Sequence, residues 1–575
     1  MSSKEITNRF KKYNSTRRNI NNNFKKYKLP QKKESMKELC KPKQFKLQPQ
    51  QNFLSDFFAS KYSNKGILIY HKIGAGKTCT AVSIAERLKK KMNVIVVVPA
   101  SLVSNFRDEL RSKCPGDEYI SDKNREKLNE LRPKDKEFKK LINESNKEID
   151  KFYKIYSYHK FIDLCENKKM RLRNTLLIID EVQNMVSESG SFYRNLKKVI
   201  DKSDDKTKIV LLSATPMFDK PVEIALTLNL LKLKEEIPVG TEFNNKFLKP
   251  YKIKNETYYM MKNHELFKSY INGAISYYRG ANPVAFPKQN FRTVNCKMED
   301  FQYKSYLTTL SSSNDFIKGY FKKTDILKLP TDFMLGPRLI SNLAFPNKCI
   351  GKKGFTSFCG STLKKNNIKK YSKKFYKINN NINKSFGPVF VYSNFKDYGG
   401  VKSIVQFLEY QGYKNYKVYG EGKKRYAIWS GDESNNIKDQ IKYTFNKKSN
   451  YDGSSIKILL GTPSIKEGVS LLRVEQVHML EPYWNMSRMF QIIGRAIRYC
   501  SHKDVPNNRQ KVDVFLYLAT YPKIKTVDQM IWSMAKRKHV LISEFELALK
   551  EMAVDCKLFY NRNVYKGENP LKCRR

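Results

Sequence analysis

From residue 45 to about 233 the chain alternates short, wholly apolar runs with segments whose apolar residues recur every three or four positions. The runs at 66–70, 94–98, 176–179 and 209–212 are apolar at successive positions. Both faces of each must therefore be buried, as in a parallel sheet covered on both sides. Residues 81–91 and 104–113 read as helices between such strands. A second series begins near Val389, with strands expected at 389–392, 426–429, 456–460 and 476–480, and another at 512–518. This alternation specifies an α/β class with parallel sheets built from βαβ units.

The remaining pattern divides the chain into an arm (1–44), a first domain (45–235), an irregular stretch (236–364), a second domain (365–521) and a short helical extension (522–575). The arm carries 14 Lys and Arg against 3 Asp and Glu with few apolar residues, so it reads as mobile and basic. Residues 351–386 hold ten Lys and no acid, which invites a linker reading. Tyr371, Phe375 and Ile378 nevertheless fall at i, i+4 and i+7, favouring a basic amphipathic helix over 371–382. Helical periodicity over 527–549 suits either a docking surface or packing against the second domain.

Composition narrows the class. Of 575 residues, 110 are Lys or Arg and 55 Asp or Glu, a formal charge of +55, with 40% apolar residues. That apolar content excludes wholesale disorder. No stretch reaches the ~18–20 apolar residues of a spanning helix, so no membrane partner is expected. The polar start MSSKEITNRF is no secretory signal. Ten scattered cysteines without a C-x-x-C favour neither zinc nor a disulfide framework, and suggest a reducing compartment. The charge points to a polyanion, most simply nucleic acid. Abundant Lys, Asn, Ile, Tyr and Phe equally match an AT-rich genome, so charge alone leaves codon bias open.

Chemistry is concentrated in a few phrases. His71-Lys-Ile-Gly74-Ala75-Gly76-Lys77-Thr78 follows one strand and opens one helix. Its glycines let backbone N–H groups approach phosphate, Lys77 suits the β/γ-phosphates and Thr78 suits Mg²⁺. His71 replaces the first Gly of the common pattern. Asp180 and Glu181 follow the 176–179 strand, at the sheet edge where open α/β folds bind ligands. Asp180 is placed to hold Mg²⁺ through water and Glu181 to activate the attacking water. Ser213-Ala214-Thr215-Pro216 again follows a strand and suits a hinge that relays nucleotide state. Gln491, Arg495 and Arg498 stand at i, i+4 and i+7, one face of a helix, with Ile493 and Ile497 on another. Two guanidiniums side by side suit the charge-spread γ-phosphate.

Taken together these phrases resemble the superfamily 2 helicase/translocase ATPases. The resemblance is to the branch carried by nucleocytoplasmic large DNA viruses, including poxvirus nucleoside triphosphatase I and early transcription factor small subunit. Linear-plasmid helicases of yeast are similar too. It extends to LQPQQNFL (47–54), SYYRGANP (276–283), PSIKEGVSLL (463–472), QIIGRAIRYCSH (491–502) and ALKEMAVDC (548–556), so it spans most of 45–556. The resemblance implies two tandem RecA-like domains, ATP with Mg²⁺, DNA or RNA as partner, and a transcription role in a cytoplasmic factory or virion. An RNA polymerase or transcription-factor subunit is a further implied partner. It implies that Gln51 recognises adenine, that Gly74, Ala75, Gly76, Lys77 and Thr78 hold phosphate, and that Asp180 and Glu181 serve metal and water. Gly468 would couple ATP to the strand, with Gln183, Ser213 and Thr215, although Gln183 replaces the usual His. Gln491, Arg495 and Arg498 would face the γ-phosphate. Segments at 100–105, Ser157 with Tyr158, and Ser393 with Asn394 are the candidate strand contacts. The rival reading is a non-catalytic packaging scaffold, which needs none of Lys77, Asp180, Glu181, Arg495 and Arg498 together. Duplex unwinding and translocation without unwinding both stay open.

Overall fold

The computed structural model describes the chain apart from residues 1–6, 8, 9, 11–17, 31–33, 42, 43, 73, 132–134, 254, 255, 312–333, 467, 468, 523, 566, 574 and 575. Strands β1 (Gly66–His71), β2 (Asn93–Val98), β3 (Tyr153–Ser157), β4 (Thr175–Ile179) and β5 (Lys208–Ser213) lie in the first lobe. An antiparallel pair follows, β6 (Leu248–Ile253) and β7 (Glu256–Met261), then β8 (Ile275–Tyr278) and β9 (Lys288–Lys297). The second lobe holds β10 (Val389–Tyr392), β11 (Lys414–Asn415), β12 (Arg425–Trp429), β13 (Ile458–Gly461), β14 (Gln476–Met479) and β15 (Lys511–Thr520). Two parallel sheets result, ordered β3-β2-β4-β5-β1-β8 and β11-β12-β13-β10-β14-β15-β9.

Strands β1, β4, β10, β13 and β14 are buried at every position; in β14 the polar Gln476 and His478 are accommodated by bonding each other, with His478 also on the Tyr517 hydroxyl. Each fully buried Val, Leu or Ile there contributes about 1.5–3 kcal/mol. The stretch 236–364 supplies a strand to each sheet: β8 pairs with β1 (Leu68 opposite Ile275), and β9 with β15 (Lys511 opposite Lys288). Neither strand shows a long apolar run, because both are edge strands, and β9 is mostly solvent-facing.

The helix expected over 371–382 is two helices, Lys365–Tyr371 and Lys373–Lys384. Ser372 separates them: it is extended (φ −150°), and its Oγ accepts from Phe375 N–H at 3.0 Å, capping the second. Helix Val527–Met552 packs on both lobes rather than on the second alone. Lys538 pairs with Asp219 of the first lobe at 2.7 Å, while His539 meets Phe490 and Trp532 stacks on Phe291. Its Asp528 forms a fully buried ion pair with Lys374 at 2.6 Å.

The cysteines overturn their expectation. Cys40–Cys500, Cys79–Cys114 and Cys556–Cys573 form disulfides across separations of 460, 35 and 17 residues. Only the tertiary fold brings these thiols together, so spacing in the sequence carried no sign of them. The described part of the basic arm is docked. Phe24 packs edge-on against Phe53, and Leu29 N–H donates to the Leu558 carbonyl at 3.1 Å. Among the described residues no helix is long and apolar enough to cross a membrane.

Candidate active site between the lobes

A cleft of about 730 Å³ opens where the C-terminal ends of β1 and β4 face the helix Met486–Ala496. Gly74, Gly76, Lys77 and Thr78 line it from one side, with Asp180, Glu181 and Gln183 beside them. Gln491, Arg495 and Arg498 line it from the other.

The phosphate loop has its shape for local reasons. Gly74 (φ +82°) and Gly76 (φ +71°) adopt left-handed backbone, which glycine enters without steric cost. Gly76 caps the helix Lys77–Leu88, so the helix starts four residues before the sequence pattern suggested. A β-carbon on Gly76 would lie 2.6 Å from Gln51 Nε2, so a side chain there would displace Gln51 besides straining the backbone. Gln51 braces this loop. Its Nε2 donates to the Gly76 carbonyl at 3.3 Å and its Oε1 accepts from Gln48 N–H at 2.8 Å. Ala75 is buried against Gly280, whose own φ is +103°. His71 ends β1 fully buried, 2.9 Å from Ser276 Oγ, and Ser276 in turn donates to Asp555. Burial, and secondarily Lys77, lowers the His71 pKa to about 3, so the ring is neutral. The departure from glycine at position 71 is thus a strand-end residue locked to β8.

Asp180 is buried, and its Oδ1 accepts the Glu181 N–H at 2.9 Å. Glu181 adopts a left-handed backbone (φ 48°), held by the Tyr158 hydroxyl, which donates to the carbonyls of Asp180 and Glu181 at 2.5 and 2.9 Å. Lys77 Nζ stands 3.7 Å from Glu181 Oε1. Tyr158 is therefore a support of the acidic turn, and Ser157, half-buried, caps its own helix by accepting from Lys160 N–H. Ser393 is likewise fully buried with its hydroxyl on Glu481, and Asn394 N–H also donates to Glu481. Tyr158 and Ser393 thus face the protein interior, while Ser157 and Asn394 stay partly exposed. Residues 100–105 stay largely exposed, with Leu102 and Asn105 at the cleft mouth.

A chain of hydrogen bonds crosses the cleft. Gln183 Nε2 donates to Glu181 Oε2 at 2.5 Å, and its Oε1 accepts from Ser213 at 2.7 Å. Ser213 Oγ also accepts the Thr215 N–H at 3.0 Å. Thr215 Oγ1 then accepts from Gln491 Nε2 of the second lobe at 3.0 Å. Gln183 thus fills the linking place with an amide that donates at one end and accepts at the other.

The arginine helix ends at Ala496, so Arg498 lies beyond it rather than on a shared helical face. The chain turns off there because Leu471 N–H bonds the Arg495 carbonyl and Arg473 N–H the Ser501 carbonyl. Both guanidiniums still meet at the Val469 carbonyl, 3.5 Å from each. Desolvation, then Arg495, lowers the Arg498 pKa to about 10, and no carboxylate pairs with it among the described residues. A half-buried guanidinium without a counter-ion, facing phosphate-binding backbone, is chemically suited to an incoming anion. Arg488 also lines the cleft, its guanidinium 4.0 Å above the Tyr483 ring. The spacing 488–491–495 held that signal in the sequence, since i, i+3 and i+7 share one face. Gly468 lies outside the described residues.

Two parallel-sheet lobes with a phosphate loop and acidic turn on one and an arginine helix on the other define a helicase-type ATPase. Residues 50–342 match the SNF2-related domain and residues 373–500 the helicase conserved C-terminal domain, and the chain belongs to this family of nucleic-acid-dependent ATPases. It is 47% identical over 551 residues, 95% of each chain, to an Acanthamoeba polyphaga mimivirus protein provisionally named an ATP-dependent RNA helicase. It is 26% identical to a termination factor NPH-I homolog of African swine fever virus, across 86% of this chain and 76% of that one. A provisionally named helicase of Invertebrate iridescent virus 3 is 27% identical, across 89% of this chain and 53% of its own.

Proposed function

We propose that the chain is a virus-type motor that couples ATP hydrolysis to stepping along DNA or RNA during transcription in the cytoplasm of an infected cell. The observation that carries this reading is the unbroken hydrogen-bonded path from Glu181 through Gln183, Ser213 and Thr215 to Gln491. Lys77 and the phosphate-loop N–H groups bind the β/γ-phosphates. Glu181 takes the proton of the attacking water, and Arg495 and Arg498 stabilise charge on the transferring phosphoryl group. Thr78 and Asp180 offer hard oxygen donors in the same cleft, which suits Mg²⁺; bound there, it would neutralise phosphate charge. Gln51 sets the loop, Gly74, Ala75 and Gly76 keep it open to phosphate, and Gly468 couples ATP to the strand. Contacts to nucleic acid go mainly to phosphate and fall steeply with salt. The likeness to a viral termination factor supports an RNA polymerase or transcription-factor subunit as partner.

The test measures ATP hydrolysis by the full chain with and without single-stranded DNA or RNA, alongside strand separation of tailed duplexes of both kinds. Stimulated hydrolysis with duplex separation is the result expected of a helicase, and stimulated hydrolysis alone that of a translocase. Absence of hydrolysis under every condition leaves only the scaffold reading.

A further inference from the structure

The arm and the arginine segment are joined covalently. Cys40, at the end of the short helix Met36–Leu39, is bonded to Cys500, two residues beyond Arg498, with their Cα atoms 5.6 Å apart. A second contact flanks it: the Tyr499 hydroxyl donates to the Leu39 carbonyl at 2.6 Å. The two ends belong to opposite lobes. Upstream, the arm is anchored on the first lobe by Phe24 against Phe53 and by Glu34, 3.1 Å from Arg562. Downstream, Cys500 takes a left-handed backbone (φ 54°), and its N–H donates to the Ala285 carbonyl at 2.8 Å. The loop it holds lies over the nucleotide site, since a β-carbon on Gly74 would come 3.9 Å from both Tyr499 Cβ and Phe286 Cζ.

We infer that the Cys40–Cys500 disulfide is a redox-controlled tether that fixes the segment carrying Arg498 against the phosphate loop and keeps the lobes from separating. A motor of this kind must open its cleft to release product, so the oxidised chain is held in one half of its cycle and the reduced chain is free to complete it. Cys40 and Cys500 act as positioning residues and do not touch the reacting atoms. The bond forms by thiol–disulfide exchange with a small oxidised disulfide such as oxidised glutathione. One cysteine thiolate attacks it, giving a mixed disulfide and one glutathione thiolate; the other displaces the second glutathione. Two protein thiols lose two electrons and two protons, and one oxidised glutathione becomes two reduced ones.

The inference rests on the motor reading above, and two readouts separate them. The full chain, its Cys40→Ser variant and, as control for a second disulfide, its Cys114→Ser variant are equilibrated in oxidised or reduced glutathione. Peptide mapping without reductant follows each pair. Steady-state ATP turnover in the presence of single-stranded nucleic acid should fall about tenfold or more in the oxidised wild type. Cys114→Ser should behave like wild type, and Cys40→Ser should turn over equally in both buffers. Small-angle scattering without nucleotide should show a larger radius of gyration for the reduced wild type and for Cys40→Ser in either buffer. Equal turnover in both redox states, an unchanged redox response in Cys40→Ser, or no linked 40–500 peptide at any glutathione ratio overturns the tether. Absence of hydrolysis in every state counts against the motor reading, and scattering then decides the tether alone: equal radii reject it.

Discussion

Gln491 of the second lobe donates its Nε2 hydrogen to Thr215 Oγ1 of the first at 3.0 Å, directly across the nucleotide cleft. This bond ends the path that begins at Glu181, so separating the lobes breaks the path at its last link. Thr215→Val keeps the side-chain shape and removes the acceptor. Nucleic-acid-stimulated hydrolysis should fall about fivefold, the loss of a hydrogen bond worth ~1 kcal/mol. Combining it with Gln491→Ala should cost little more than Gln491→Ala alone, because both remove one interaction. Rates of the two single variants and the double variant measure this.

Glu181→Gln keeps the turn and removes the base. Turnover should drop about 10²–10⁴-fold while nucleotide still binds. Lys77→Ala should lose turnover and weaken nucleotide binding together. Both should retain salt-sensitive nucleic-acid binding, read by fluorescence anisotropy across a salt series.

In the proposed function Arg498 would meet the γ-phosphate through planar geometry as well as charge. Arg498→Lys should therefore fail to restore activity, with kcat lowered about 10³-fold and KM changed far less. Arg488→Ala should give a smaller effect, since Tyr483 already engages that guanidinium. Steady-state kinetics at saturating nucleic acid separate the two.

Burial, with Lys77 second, holds His71 near a pKa of about 3; burial alone holds His478 at about 3, and mainly burial holds His502 at about 4. Each folded value lies below the unfolded 6.5, so their neutral burial is costless above pH 6.5. As pH falls towards 4 the unfolded chain takes up protons that the folded chain cannot. Stability should drop by roughly 2 kcal/mol per histidine between pH 7.5 and 5. Glu223, raised to about 7 by desolvation, and Glu109 and Glu481, also raised by burial, work in the opposite direction, whereas burial lowers His539 as it does the other three. Urea midpoints across that range test this, and His71→Gln should flatten the slope.

Lys374 and Asp528 are a buried pair, and Lys374 also donates to Asn342 Oδ1 at 2.9 Å and the Leu480 carbonyl at 2.8 Å. Lys374→Met strands Asp528 and should destabilise by about 3–5 kcal/mol. Adding Asp528→Leu should recover part of that loss. Denaturant titrations give both numbers.

The sheets were legible wherever burial is two-sided. β1, β2, β4, β5, β10 and β13 announce themselves as apolar runs because their central positions meet no water, and β12 and β15 through shorter apolar stretches. β3, β8, β9 and β11 did not, since edge strands carry mixed or very short patterns. The cleft residues were legible for another reason: phosphate chemistry constrains Gly74, Gly76, Lys77, Asp180 and Glu181 within short phrases. The partners of His71 and the disulfides were hidden because they join residues far apart in sequence. That Tyr158 and Ser393 point inward was hidden because a polar residue after a strand looks alike whether it faces solvent, braces backbone carbonyls or bonds a buried carboxylate.

The first lobe is completed from the far end of the chain. Ser276 of β8 holds His71 on one side and Asp555 on the other, and Phe559 packs on Phe53 and Tyr278. During synthesis the phosphate loop therefore cannot reach its final setting until Asp555 and Phe559 have left the ribosome. ATP-binding competence thereby follows completion of the second sheet, and a chain stopped after that sheet would lack the support of its phosphate loop.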